Sequence, residues 1–505
     1  MSRRLLSSLL GASLLAPVAQ DEPPDIRLFF AAASMDESES ERALATLAES
    51  WRDEYAAMVV DVARFMRPPR PRRGEADFGD LVGDDTEPEG EDLAEVGAAG
   101  GGRFPTPGRA GPAPEEHPST RVRERLVKFL EARTGQRLGQ DLRAWRRWYW
   151  SRPYRPHPDY ALFKAVLYGQ VDERMVAFFP VDGPARIRLD EVDWGGVVVN
   201  EIPPLDSPRV VPAAEARYLE DSNVVFGVAI EGEYRAYPQR ILGWHELALD
   251  QVGGVDLAVV YCTLCGTVIP YASEVSGRRF TFGTSGLLYR SNKLMFDAET
   301  KSLWSTAEGR PVIGALADSD LELRAYPVVT TTWGEWRRLH PESTVLSLET
   351  GHQRDYSEGA AYRDYFRTHN LMFAVPDTDE RLRNKDEVLA LVLPDPDGEG
   401  ARALAISAEF LARKQNRVFH ARLGGRELVV ITSRAAANRV YDAGSVRFGR
   451  VADDGTLIDQ AGASWTLTED ALVPSAGGDS RPRVPARRAF WFGWRAQYPD
   501  TQLIH

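Results

Sequence analysis

Val252-Gly-Gly-Val-Asp-Leu-Ala-Val-Val-Tyr-Cys-Thr-Leu-Cys-Gly266 decides the fold of this chain. A Gly-Gly pair ahead of an alternating apolar run reads as a two-residue hairpin turn feeding a strand. Thr267-Val-Ile-Pro-Tyr271 then predicts a second strand, so Cys262 and Cys265 sit on the turn between them. Leu423-Gly-Gly-Arg-Glu-Leu-Val-Val-Ile431 repeats the pattern without a gap. Ser302-Leu-Trp304 matches Ser464-Trp465 loosely, and Thr332-Trp-Gly-Glu-Trp-Arg-Arg-Leu-His-Pro341 matches Phe490-Trp-Phe-Gly-Trp-Arg-Ala-Gln-Tyr-Pro499. The order and rough spacing agree over ~120 residues per copy, which predicts an internal duplication. In the gapless register Ser433 faces Cys262, Ala436 faces Cys265 and Asn416 faces His245. The second copy keeps the scaffold pattern and lacks the reactive groups.

Outward from the hairpin the texture of short Val, Tyr and Phe runs persists, in Val224-Val-Phe-Gly-Val-Ala-Ile230 and in Arg279-Phe-Thr-Phe282 after the Ser276-Gly277 turn. Single helices are expected at about 239–249 and 332–340. Towards the N-terminus the period changes. Leu44, Trp51, Met58 and Phe65 recur every seven residues and predict one amphipathic helix within 20–66. Residues 67–118 turn to Pro, Gly, Asp and Glu and predict a disordered linker. The stretch 119–184 reads as a small helical module, with Trp145 and Trp148 as packing residues. The fold class expected is α+β: a helical N-terminal module, then a duplicated, mainly antiparallel β-rich domain with short helices. The first repeat spans 185–350, a connector 351–384 and a degenerate second repeat 385–505.

Arg3 and Arg4, the apolar stretch Leu5 to Val18 and the small-residue end Ala16-Pro-Val-Ala19 have the layout of a secretory signal peptide over residues 1–19. A periplasmic or secreted location, with an oxidising environment, is the expectation. The chain has 505 residues, so two to four domains are expected. Its 61 basic and 74 acidic side chains leave a formal charge of −13, which argues against coating nucleic acid. No apolar run approaches the roughly 20 residues of a spanning helix. With two cysteines in all, a disulfide-stapled scaffold and a four-cysteine zinc site within one chain are excluded.

The chemistry therefore centres on one pair. A Cys-x-x-Cys between strands, followed by Gly266, predicts a knuckle with both sulfurs on one side. A thioredoxin-like pair needs a helix starting at the cysteines, and Pro270 argues against one. Gly266 also stands where a c-type haem motif requires histidine. Extra donors are sought in the same copy: His245 in Trp244-His-Glu246 first, then Met295 and Asp297, with His340 read as a helix terminus. Cys262, Cys265, His245 and Met295 would suit copper, whereas a carboxylate or water in place of the thioether would suit zinc. The competing readings are a thiol-redox pair assisted by His245, a local disulfide in a non-catalytic interaction module, and a hydrolase using Ser285 near His245. Gly283-Thr-Ser-Gly286 is expected to form a tight turn, with Tyr289, Arg290 and Asn292 as possible neighbours of the pocket. The partner expected is an unknown small molecule or a periplasmic protein.

Arg235-Ala-Tyr-Pro, Ile241-Leu-Gly-Trp-His-Glu246, Tyr261-Cys-Thr-Leu-Cys-Gly-Thr267, Thr281-Phe-Gly-Thr-Ser-Gly-Leu-Leu-Tyr289 and Ser302-Leu-Trp304 carry a resemblance. The stretch from Ile187 to Leu346 closely resembles the bacterial and archaeal domain-of-unknown-function family numbered 3179. The resemblance implies a domain built around the Cys-x-x-Cys region and brings no activity with it. That family usually has proline where this chain has Thr263, a change that relaxes the turn and leaves both thiols.

Overall fold

The computed structural model describes residues 23–66, 117–398 and 400–505. The leader expected at 1–19 and all but the end of the linker expected at 67–118 lie outside them. The described parts divide into two compact units.

One unit holds residues 23–66, 117–140 and 156–158 and is helical. The seven-residue stripe expected to be one helix runs through two, Glu37–Glu49 and Ala56–Phe65. Between them Arg52 is extended and Trp51 packs edge-on against Phe129, at 5.1 Å between ring centres. Docking that indole on the helix Pro118–Thr134 outweighs one more helical turn.

The other unit opens with the helices Leu142–Trp150 and Tyr160–Gly169. Both are tied to the first strand, Val192–Trp194, through Arg146 to the Asp193 carboxylate and Lys164 Nζ to the Val192 carbonyl at 2.9 Å. The remainder is β-rich, and nearly all its strand pairs are antiparallel. The architecture is thus mixed α+β, helices first and several mostly antiparallel sheets after.

Two of these sheets share a plan. In one, Val328–Thr332, Val224–Ile230, Glu233–Pro238 and Thr344–Leu346 lie side by side, joined by two antiparallel pairings and then a parallel one. In the other, Arg487–Phe490, Glu387–Pro394, Ala401–Ser407 and Gln502–Ile504 follow the same order with the same senses. Each plan continues into a hairpin triplet. Leu247–Val252, Val255–Cys262 and Thr267–Ala272 form the first, and Val418–Leu423, Arg426–Thr432 and Asn438–Asp442 the second. The Gly-Gly turns match closely: φ is +56° and +75° at Gly253 and Gly254, and +54° and +72° at Gly424 and Gly425. Two positive φ values in a row are what a two-residue turn between twisted strands requires.

The next turn does not follow the gapless register. Cys262 pairs with Thr267, whereas Thr432 pairs with Asn438 and the Ser433 amide donates to the Ala437 carbonyl at 2.8 Å. The second turn is one residue shorter. Ala436 therefore stands opposite Gly266, both at φ +59°, and Ala435 opposite Cys265.

Indole pairings recur as well. Trp304 Nε1 donates to Asp297 at 2.9 Å and Trp465 Nε1 to Asp459 at 3.0 Å. Trp336 Nε1 reaches Ser343 Oγ at 2.8 Å and Trp494 Nε1 reaches Thr501 Oγ1 at 2.9 Å. These bonds satisfy buried N–H groups that would otherwise be costly.

Candidate functional site

The strand Val255–Cys262 ends in a turn in which the Cys265 amide donates to the Cys262 carbonyl at 3.2 Å and the Gly266 amide to the Thr263 carbonyl at 3.3 Å. Gly266 returns the chain at positive φ, and the ring of Phe490 lies about 3.0 Å from where its Cβ would be. No helix starts at the pair, since Thr267–Ala272 is strand. Both cysteines are free thiols, 3 % and 1 % exposed.

The two sulfurs are distinguished by what surrounds them. Burial pushes the Cys262 thiol up. The hydrogen bond from Cys265, with the amides of Lys293 and Cys265, outweighs that and the repulsion of Glu246, and holds it below the ordinary thiol range. Cys265 is pushed well above that range by its bond to Cys262, by burial and by the neighbouring negative sulfur. Cys262 is thus the more acidic thiol of the pair and Cys265 the less acidic. Asn292 Nδ2 donates to Cys265 Sγ at 3.4 Å, and Cys265 Sγ lies 3.4 Å from the Ser291 carbonyl oxygen. Thr306 Oγ1 donates to Asn292 Oδ1 at 2.6 Å, which fixes the amide with its nitrogen towards the sulfur.

A buried cation completes the pair. Lys293, on the strand Asn292–Asp297, donates from Nζ to the Glu246 carbonyl at 2.8 Å and stands 3.4 Å from its carboxylate. Burial lowers the ammonium's pKa, while the charges of Glu246 and Cys262 act to keep it protonated. Tyr362 OH donates to the other carboxylate oxygen of Glu246 at 3.1 Å. Glu246 is aimed inward because it ends the helix Gln239–His245 in the left-handed conformation, φ +56°. Its removal would strand a buried ammonium.

Cys262, Glu246, Lys293, Tyr362 and Ser285 line one cavity of about 40 Å³, closed by Leu264, Leu288, Met372 and Phe373 among others. Cys265 is not in its wall. It is covered from the far side by the helix Trp491–Gln497, where Gly493 leaves only about 3.0 Å between its missing Cβ and Cys265 Sγ. The Phe490 amide donates to the Cys265 carbonyl at 2.8 Å and Tyr365 OH to the Leu264 carbonyl at 2.7 Å.

The other expected site residues fall elsewhere or play other parts. His245 is fully buried, with Nδ1 on the Pro203 carbonyl at 2.8 Å and Nε2 on Tyr356 OH at 2.6 Å. The carbonyl only accepts, so the ring is the neutral Nδ1–H tautomer and both nitrogens are taken. Burial lowers its pKa to about 4. Met295 lies in the apolar core with Trp304 and Phe282. Asp297 accepts the Trp304 indole and the Thr300 amide, as Asp459 accepts Trp465 and Ala463. His340 stacks on Tyr234 with ring centres 4.2 Å apart. Arg290 pairs with Glu191.

A copper or zinc ion needs three or more converging donors. Among the described residues no group of three or more His, Cys, Asp or Glu side chains is placed to hold a metal ion. The donor set Cys262, Cys265, His245, Met295 and Asp297 is therefore not assembled here.

Ser285 does reach the cavity, but its Oγ donates to the Leu294 carbonyl at 2.6 Å and accepts the Leu287 amide at 3.0 Å. Gly283-Thr-Ser-Gly286, expected as a turn, is instead part of the strand Phe282–Tyr289 with an irregularity in its register between Thr284 and Leu288. Lys293, Tyr362 and Phe373 were not found by sequence reasoning. Only Lys293 carries a signal, a lysine inside the apolar run Leu294-Met-Phe296 and its flanks.

Comparison with known proteins gives one positive finding. Neither the curated proteins nor the solved structures yield a match. The model of one family, described as a protein of unknown function, matches residues 199–501. The match covers the expected resemblance up to Leu346 together with the weaker second copy, and spans both hairpin triplets and the helix that covers Cys265. Covering more than half of the chain, it shows that this protein belongs to the family DUF3179.

Proposed function

We propose that Cys262 and Cys265 form a dithiol–disulfide redox site, with Cys262 as the reactive thiolate and Cys265 as the thiol that closes the disulfide. One observation carries this reading: Cys262 alone of the pair lines the cavity, beside the buried Lys293, while Cys265 lies outside its wall with its thiol directed to the Ser291 carbonyl. Such a division of labour favours attack by the cavity-side sulfur, since the thiolate is the nucleophile. The tight turn keeps the pair close enough for a disulfide without moving the strands.

Two further elements belong to the proposal. The two sheet-plus-hairpin plans descend from one repeated unit, of which only the first carries thiols; their matching strand orders and Gly-Gly turns support this. Export, read from residues 1–19, would give the pair an oxidising compartment.

Treating the reduced full chain with diamide, then with dithiothreitol, each at a urea concentration just below the unfolding transition so that the cover opens to these larger reagents, tests the redox reading by intact mass. The expected outcome is loss of two hydrogens, mapped to Cys262–Cys265, and their complete return. A chain that gains only adducts, or that stays oxidised, contradicts it.

A further inference from the structure

Resting on the redox reading above, we infer that the oxidant reduced at this site is a hydroperoxide no larger than hydrogen peroxide, and not a protein disulfide. Access to the sulfurs selects the oxidant. A partner protein's disulfide must reach the attacking sulfur in line, yet Cys262 is 3 % and Cys265 1 % exposed. The Cys262 sulfur faces a cavity of about 40 Å³. One water needs roughly 10–15 Å³ measured this way, so two bonded oxygens fit inside, whereas a bulky substituent would have to stay in the mouth of the cavity. The cavity is polar where the reaction would occur, with Lys293 Nζ and Tyr362 OH, and apolar where an organic tail would have to lie.

The steps balance. The Cys262 thiolate attacks one peroxide oxygen, the O–O bond breaks, and a sulfenic acid, S–OH, forms on Cys262. The departing hydroxide takes a proton from the Lys293 ammonium and leaves as water, and Lys293 regains that proton from solvent. Cys265 then attacks the Cys262 sulfur. Its thiol proton leaves with the sulfenic hydroxyl as a second water, and the S–S bond closes. Peroxide is reduced by two electrons and the dithiol is oxidised by two. In the assay dithiothreitol returns the site to its starting state once urea below the unfolding transition has opened the cover.

The experiment uses the reduced full chain, mixed separately with hydrogen peroxide and with cumene hydroperoxide, with thiol loss and intact mass followed in time. Hydrogen peroxide is expected to close the disulfide at least 100-fold faster than it oxidises an unstructured peptide of residues 260–267. Cumene hydroperoxide is expected to react at least 10-fold more slowly than hydrogen peroxide. In Cys265→Ser, a sulfenic acid should collect on Cys262 and be trapped by dimedone after denaturation. Equal rates for the two hydroperoxides, or a hydrogen peroxide rate no greater than that of the peptide, would overturn the inference. If diamide still closes a reversible disulfide in that case, the redox reading survives without it. If no oxidant closes the disulfide, both fall together.

Discussion

The turns Cys262–Gly266 and Ser433–Ala436 end equivalent strands, yet they meet opposite surroundings. In the second, Ser433 Oγ accepts the amides of Ala435 and Ala437 at 3.2 and 3.1 Å. In the first, the Cys265 amide donates to the Cys262 carbonyl at 3.2 Å and the Gly266 amide to the Thr263 carbonyl at 3.3 Å. The cover differs more. The helix Trp491–Gln497 packs on Cys265 from one side, and on the other side Cys262 lines a cavity of only about 40 Å³. The serine turn lines a cleft of about 920 Å³, shared with Glu335 and Arg338 of the helix Trp333–Leu339. Gly493 in one helix and Glu335 in the other stand two residues after the first tryptophan; Gly493 lies against Cys265, whereas Glu335 lines the open cleft. A knuckle alone therefore does not make the site; the cover and the buried cation do.

Substituting the second turn's residue into the first makes the largest break in this comparison. Cys262→Ser should abolish disulfide formation and peroxide reduction while keeping the fold, because Ser433 already supports such a turn. Thiol titration together with the circular-dichroism melt checks both halves of that statement.

The next effect is in pH dependence. His245 is held neutral, with its pKa lowered to about 4 from an ordinary 6.5. Between those values the unfolded chain binds a proton that the folded chain refuses, so stability is lost as pH falls from 6.5 to 4. The loss amounts to about 3 kcal/mol at most. His245→Asn, which installs the residue of the matching position Asn416, should flatten that slope in urea titrations at pH 7, 5.5 and 4.5.

A smaller effect is expected at the cover. Gly493→Ala places a Cβ about 2.9 Å from Cys265 Cβ, so it should cost about 1–3 kcal/mol by overpacking and speed alkylation of the thiols. Unchanged denaturation and alkylation would show that the helix is not the seal. The smallest is at the left-handed residue that both turns share. Ala436→Gly should stabilise the chain by about 1 kcal/mol, because alanine at φ +59° is strained where glycine is not. Gly266→Ala should cost more than Ala436→Gly gains, since it also meets Phe490.

Much of the fold was legible because it rests on local chemistry. The Gly-Gly turns, the alternating runs and the repeated Trp-x-x-Trp helices each announce an element within a dozen residues. The candidate site was legible only at its centre. Cys262 and Cys265 stand out as the sole cysteines, but Tyr362 and Gly493 lie about 100 and 230 residues away and nothing local marks them. His245 misled for a physical reason: a histidine beside the strand that bears the pair is close in sequence, yet its helix turns the ring towards Pro203 and Tyr356. Asp297 misled because a carboxylate after a methionine looks like a ligand, while its partner is an indole seven residues on. The one-residue difference between the turns was also hidden, since the gapless register fits the strands before it.

The central claim is that Cys262 is the more acidic thiol of the pair and Cys265 the less acidic. Ultraviolet thiolate absorbance of the reduced chain, titrated against pH with Cys262→Ser and Cys265→Ala beside it, tests this directly. One thiolate is expected to form below the ordinary thiol range, to be absent in Cys262→Ser, and to move to higher pH in Cys265→Ala, where the donor is lost. A wild-type signal that first appears above that range, or one that persists unchanged in Cys262→Ser, would contradict it.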